Sequence, residues 1–196
     1  MIGILLAAGF SRRFGPQDKL LQLLPDGRPI ALAAAQALVA AIPVSVAVVR
    51  EENVALKAQL SAAGLIVIIC PSEAQLMADS LSYAVRYASQ LPAAHDGFVI
   101  ALADMPYIKR VTIQQVTAKL QQGAGTQGGG IVIPTYQGQR GHPVAFAAKF
   151  ADALMQLQGD QGARAIIQQH PEEVTMLPCE DAGILADIDI PADLQK

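Results

Sequence analysis

Residues 4–19 read ILLAAGFSRRFGPQDK, an apolar run that passes into two glycines, Ser11, Arg12, Arg13 and Lys19. The run starts at Ile2, and IGILLAA over 2–8 is unbroken in the manner of a strand buried on both faces. Such a strand belongs to a parallel sheet with helices on either side. The loop that follows concentrates positive charge. Backbone N–H groups of a glycine-bearing turn can converge on an anion. Gly9 and Gly15 permit the bend, Ser11 offers a hydroxyl, and Arg13 and Lys19 can reach phosphate oxygens. The ligand this implies is a polyphosphate.

Working outward, apolar runs alternate with helical patterns. Strands are expected at 44–49 (VSVAVV), 65–70 (LIVIIC), 97–106 (GFVIALADMP), 131–136 (IVIPTY), 143–148 (PVAFAA) and late in ILADIDIPADLQ from 184. Helices are expected at 28–41, with Pro29 near the start, and at 51–64, 77–91 and 109–123. Two short ones follow at 147–157 and 162–170, and the glycine-rich stretch 123–130 reads as a flexible connector. This order predicts an α/β fold, a three-layer α/β/α sandwich around a mainly parallel sheet. Ligands of open parallel sheets sit beyond the carboxyl ends of the strands. Loop 7–19, region 71–81 and turn 103–107 should therefore share one edge.

Composition narrows the classes. Over 196 residues, 52% are apolar and 16% charged, enough apolar content for a sizeable core and unlike a disordered chain. A net charge of −3 speaks against general nucleic-acid binding, which needs a basic face. MIGILLAAG lacks the basic start of a signal peptide. The apolar stretch 30–49 is split by Pro43 and diluted by Gln36 and Ser45, so it reads as a helix and a strand rather than a membrane span. Cys70 and Cys179 are too few for a disulfide framework or a zinc site, which fits a cytoplasmic location.

The opening loop does not meet the P-loop pattern, because Pro16 and Gln17 follow Gly15, nor the dinucleotide fingerprint, because Phe10 and Ser11 follow Gly9. It does read L-A-A-G-x-S-x-R-F-G, then Lys. Further on come ALADMP with Asp104, GHPV over 141–144, GDQGAR over 159–164 and DIDIPADL over 187–194. In these motifs the chain resembles the MobA-like NTP transferase family of nucleotidyltransferases, most of all its molybdenum cofactor cytidylyltransferase branch. The resemblance runs from residue 3 to about 194 and implies a Rossmann-like nucleotidyltransferase fold, with residues 1–196 as a single domain. Three residues separate Gly15 from Lys19, where the usual motif has two, and Ile190 stands where the family has threonine.

The resemblance implies that Leu6, Ala7, Ala8, Gly9, Ser11, Arg13, Lys19 and Ser80 bind nucleotide, with Arg13, Lys19 and Asp104 catalytic. A buried carboxylate at a strand end needs a partner, and Mg2+ takes one or two carboxylates plus substrate phosphates. The resemblance gives that role to Asp104 and Asp189. Alternation would put Asp187 and Asp189 on one strand face, with Asp187 the alternative ligand or a loop anchor. His142 is either a structural hydrogen-bonder or an acceptor contact. Arg164 either meets the acceptor or pairs with Asp160, and Gly162 is expected to open a helix suited to an anion. The implied reaction moves CMP from CTP to molybdopterin and releases pyrophosphate, and a molybdoenzyme would receive the product. Ala8, where the guanylyl-transferring branch more often has glycine, favours CTP over GTP. Transfer to a sugar or polyol phosphate, a non-catalytic nucleotide sensor or cofactor chaperone, and an NAD-dependent oxidoreductase remain alternatives; for the last, the glycines are wrong.

Overall fold

The computed structural model describes residues 1–9, 14, 18–72, 76–123, 128–159 and 162–195. Strand β1 is Ile2–Leu6, followed by helix α1, Ile30–Ala41, and β2, Ser45–Val49. Then come α2 (Val54–Ala62), β3 (Ile66–Ile69), α3 (Met77–Ala88), β4 (Phe98–Leu102) and α4 (Arg110–Gly123). The second half holds β5 (Ile131–Tyr136), β6 (Gln139–Arg140), β7 (Val144–Phe146), α5 (Ala151–Met155), α6 (Arg164–Gln169) and β8 (Val174–Pro178).

The eight strands form one sheet in the order β3-β2-β1-β4-β7-β5-β6, with β8 also paired to β5. β1 runs parallel to β2 and β4, β2 is parallel to β3, and β5 is parallel to β8. The pairings of β7 with β4 and β5, and of β6 with β5, are antiparallel. Period-two alternation divides each central strand between two cores. Leu5, Ala47, Val99 and Ala101 pack under α1, α2 and α4, while Ile2, Ile4, Val46, Val48 and Ile100 pack under α3, α5 and α6. Both faces are thus covered, which is why β1 reads as an unbroken apolar run. Gly3 leaves room for its neighbours on β2 and α1: a Cβ there would lie 2.3 Å from Ser45 Oγ and 3.1 Å from the Leu38 side chain.

Two expectations are corrected. No strand forms at 184–190. A short 3-10 turn, Ala182–Leu185, is followed by irregular chain and a second turn, Pro191–Gln195. Ile184 and Ile188 are buried while Ile190 is exposed, and the backbone bonds to loops instead of a ladder. The last strand is instead β8, an edge strand whose mixed burial hides it from a search for apolar runs. Residues 124–127 of the connector at 123–130 lie outside the described residues, and its Gly123 ends α4. No described helix is long and apolar enough to cross a membrane.

Candidate functional site

The parallel register brings the carboxyl ends of β1, β2, β3 and β4 to one edge. Ala7 N–H donates to the Val48 carbonyl (3.0 Å), Ala103 N–H to Leu6 (3.0 Å) and Cys70 N–H to Val49 (2.8 Å). Residues 7–9, Lys19 and the 103–107 turn therefore share that edge with the start of α3. Ala7 and Ala8 are buried at the strand end and Gly9 is exposed. Ser11, Arg12, Arg13 and Gly15 lie outside the described residues, as does Asp160. Phe14 is buried in the core beneath α1, which tethers the middle of the loop. Arg50, immediately after β2, donates from Nε to the Ala8 carbonyl (2.7 Å). Sequence reading did not single it out; a lone arginine at the end of a buried strand was the available signal.

Lys19 opens a 3-10 turn, Lys19–Leu21, that Asp18 caps by accepting from Leu20 N–H at 3.0 Å. Leu20 anchors the turn in the core. Lys19 is only 6% exposed. Its Nζ donates to Asp104 Oδ2 at 2.8 Å and lies 3.7 Å from Asp189 Oδ1. An ammonium so deeply desolvated requires paired carboxylates.

The two acids arrive by different routes. Asp104 stands two residues past β4. Asp189 follows the 182–185 turn, and Ile188 N–H donates to the Asp104 backbone carbonyl at 2.9 Å, which ties the segments together. The Asp193 carboxylate accepts from Asp189 N–H and Ile190 N–H, each at 3.0 Å. Asp181, buried at 2% exposure, accepts from Lys109 N–H (2.9 Å), Thr112 Oγ1 (2.6 Å) and Gly183 N–H (3.0 Å). Among the described residues no three His, Cys, Asp or Glu side chains gather as a complete metal site. A pair of carboxylates already holding a cation suits Mg2+ or Mn2+, which complete their shells with water and phosphate oxygens.

Ser80 is buried in α3, its hydroxyl 3.4 Å from the Leu76 carbonyl and 3.5 Å from Cys70 Sγ, below the same edge. His142 sits in the turn between β6 and β7, before a cis Pro143. Its N–H donates to the Ile184 carbonyl (3.0 Å), while Nδ1 has no hydrogen-bond partner among the described residues. Burial pushes its imidazole pKa down, with Asp104, the Ile100 backbone and Asp187 acting the other way. A cavity of about 300 Å³ lies beside it. Leu6, Leu81, Ile100, Leu102, Ile133, Val144 and Phe146 supply apolar walls, and Arg140, His142 and Arg164 supply polar groups. The cavity thus joins His142 to Arg164. Helix α6 begins at Arg164 itself and has six residues, too short for the anion-binding N-terminus expected at Gly162.

This edge, with its caged lysine and adjoining cavity, places the molecule by fold and family among the nucleotidyltransferases. The chain belongs to the MobA-like NTP transferase domain family, whose model matches residues 3–174. It is similar to the purine catabolism protein PucB of Bacillus subtilis, 27% identical over 98% of this chain and 93% of that protein. Among solved structures it shares its fold with Rv0371c of Mycobacterium tuberculosis in complex with manganese. The TM-score is 0.75 at 23% identity, covering 99% of this chain and 95% of the other. Molybdopterin-guanine dinucleotide biosynthesis protein A of Archaeoglobus fulgidus also shares the fold, with a TM-score of 0.67 at 19% identity over 100% and 95% of the two chains.

Proposed function

We propose that the protein transfers CMP from CTP to a molybdopterin-type acceptor and releases pyrophosphate. The observation that carries this reading is the Lys19 ammonium held between Asp104 and Asp189 beside a cationic, apolar-walled cavity. In this reading Arg13, Lys19 and the loop amides receive the triphosphate's β- and γ-phosphates. Leu6, Ala7, Ala8, Gly9 and Ser11 form the floor and rim against which the nucleoside lies. Ser80 supports that floor from below, through the Cys70 end of β3. Asp104 and Asp189 would hold Mg2+, which when bound supplies positive charge to the reacting phosphates. A phosphate oxygen of the acceptor attacks the α-phosphorus in line, the bond to the bridging oxygen breaks, and pyrophosphate leaves. The chain's contribution is alignment and charge neutralisation. The incoming phosphate is already an anion, so no general base is required.

The cavity favours a flat heterocyclic acceptor. Its Leu, Ile, Val and Phe walls would leave the hydroxyls of a sugar or polyol unpaired, whereas Arg140, His142 and Arg164 can meet a terminal phosphate. Ala8 supports CTP over GTP. A molybdoenzyme that accepts the dinucleotide cofactor is the partner this function entails, in the cytoplasm where such cofactors are assembled.

The test is to incubate the purified protein and Mg2+ with CTP or GTP and either molybdopterin or a sugar phosphate, reading pyrophosphate and product mass. Pyrophosphate and a cytosine dinucleotide from the CTP–pterin pair alone are expected. Turnover only with GTP or only with a sugar phosphate would reassign the substrate. Nucleotide binding with no pyrophosphate from any pair would identify a sensor or chaperone.

A further inference from the structure

We infer that Asp181 is a positioning residue that sets the separation of the Asp104 and Asp189 carboxylates, and so the affinity of the site for a divalent cation. The inference rests on the metal role proposed for that pair. Asp181 belongs to neither the loop nor the cavity, yet it is one of the few charged side chains in the interior. Burying a carboxylate is costly unless its lone pairs are filled. Here Oδ2 accepts from Lys109 N–H and Thr112 Oγ1, and Oδ1 accepts from Gly183 N–H.

Those donors come from two different segments. Lys109 and Thr112 stand at the start of α4, directly after the turn that bears Asp104. Gly183 belongs to the segment that goes on to Asp189. One carboxylate therefore joins the two chain segments that carry the acids. The joint is tight, because a Cβ on Gly183 would lie 2.1 Å from the Tyr107 carbonyl oxygen. The same segment reaches further into the site: Ile184 accepts from His142 N–H, and Ile188 N–H donates to the Asp104 carbonyl. Where no strand ladder holds the chain, this joint acts with the Ile188–Asp104 backbone bond and the Asp193 cap to keep Asp189 at a fixed distance from β4. An acid at 181 is required because all three partners are donors and only a carboxylate accepts at both oxygens. Changing it to Asn turns an amide N–H₂ toward at least one N–H or O–H. The joint then loosens without a change of volume.

The experiment measures Mn2+ affinity by electron paramagnetic resonance, with a non-hydrolysable CTP analogue present, alongside thermal melting. The variants are Asp181→Asn, Thr112→Val and Thr117→Val. Thr117 lies on the same helix, but its hydroxyl bonds to the Ile113 carbonyl of that helix, so it reports helix stability alone. Asp181→Asn is expected to weaken Mn2+ binding about 10-fold or more, and Thr112→Val, with one hydrogen bond lost, about 2- to 10-fold. Thr117→Val should leave the affinity unchanged at a comparable loss of melting temperature. Wild-type affinity in Thr112→Val overturns the inference, including in the event that Asp181→Asn fails to fold. Wild-type protein that binds no Mn2+ overturns the metal reading itself, an outcome distinct from variants that bind as tightly as wild type.

Discussion

Asp104 and Asp189 meet the same ammonium from opposite kinds of support. Asp104 stands just past a strand bonded in register on both sides, with Ala103 N–H still on the Leu6 carbonyl. Asp189 stands in irregular chain held by one backbone bond, from Ile188 N–H to the Asp104 carbonyl, and by two side chains, the Asp193 cap and the Asp181 joint. A strand ladder distributes its hold over many backbone bonds, whereas a few caps and one buried carboxylate concentrate it. The strand-borne acid should therefore keep its place through most nearby substitutions. The loop-borne acid should respond to changes some distance away.

The largest effect should come from the acids themselves. Asp104→Asn is expected to cost about 10²–10³-fold or more in pyrophosphate release with the circular dichroism spectrum unchanged. It carries the shorter contact to Lys19, so Asp189→Asn should cost less. Equal losses would break the asymmetry. Next, Gly183→Ala drives a Cβ into the Tyr107 backbone and should lower stability by about 1–3 kcal/mol in denaturant titrations. Gly9→Ala, with nothing among the described residues within 4 Å of the added Cβ, should be sterically neutral for folding. A neutral Gly183→Ala would mean that the joint is looser than the contacts imply.

The smallest effect is a pH dependence. His142 has its folded pKa pushed below the ordinary value by burial. The unfolded chain thus binds the proton more readily. The stability from keeping this ring neutral is full above about pH 6.5 and falls as pH drops from there toward the folded value, at most about 1.4 kcal/mol per unit. Denaturant midpoints at pH 7.5 and 5.5 should drop more for the wild type than for His142→Gln. Equal drops would remove His142 from the acid sensitivity.

Much of the N-terminal half was legible in the sequence. Ile2–Leu6, Ser45–Val49 and Phe98–Leu102 lie within the apolar runs because strands covered on both faces must be apolar throughout, and the edge strand Ile66–Ile69 is apolar too although Ile66 and Ile69 are exposed. The end of one such run also marked Asp104, since a carboxylate directly after a buried strand has few other reasons to be there. The second half was less legible. Period-two alternation at 184–190 suggests a strand, but the residues there are buried with no period of two, at Ile184 and Ile188 and not at Ile190. β8 was missed because VTMLP, half-exposed and interrupted by Thr175 and Pro178, forms no continuous apolar run.

By itself, then, the sequence determined the layered sheet, the edge where its strand-end loops gather and the family of the chain, because these follow from local periodicity and contiguous motifs. Only the tertiary structure decided that Lys19 lies between Asp104 and Asp189, that His142 and Arg164 share a cavity, and that Asp181 joins two distant segments. Each of these is a meeting of groups far apart along the chain. What brings them together is the packing of irregular segments against the sheet, for which no periodicity is written.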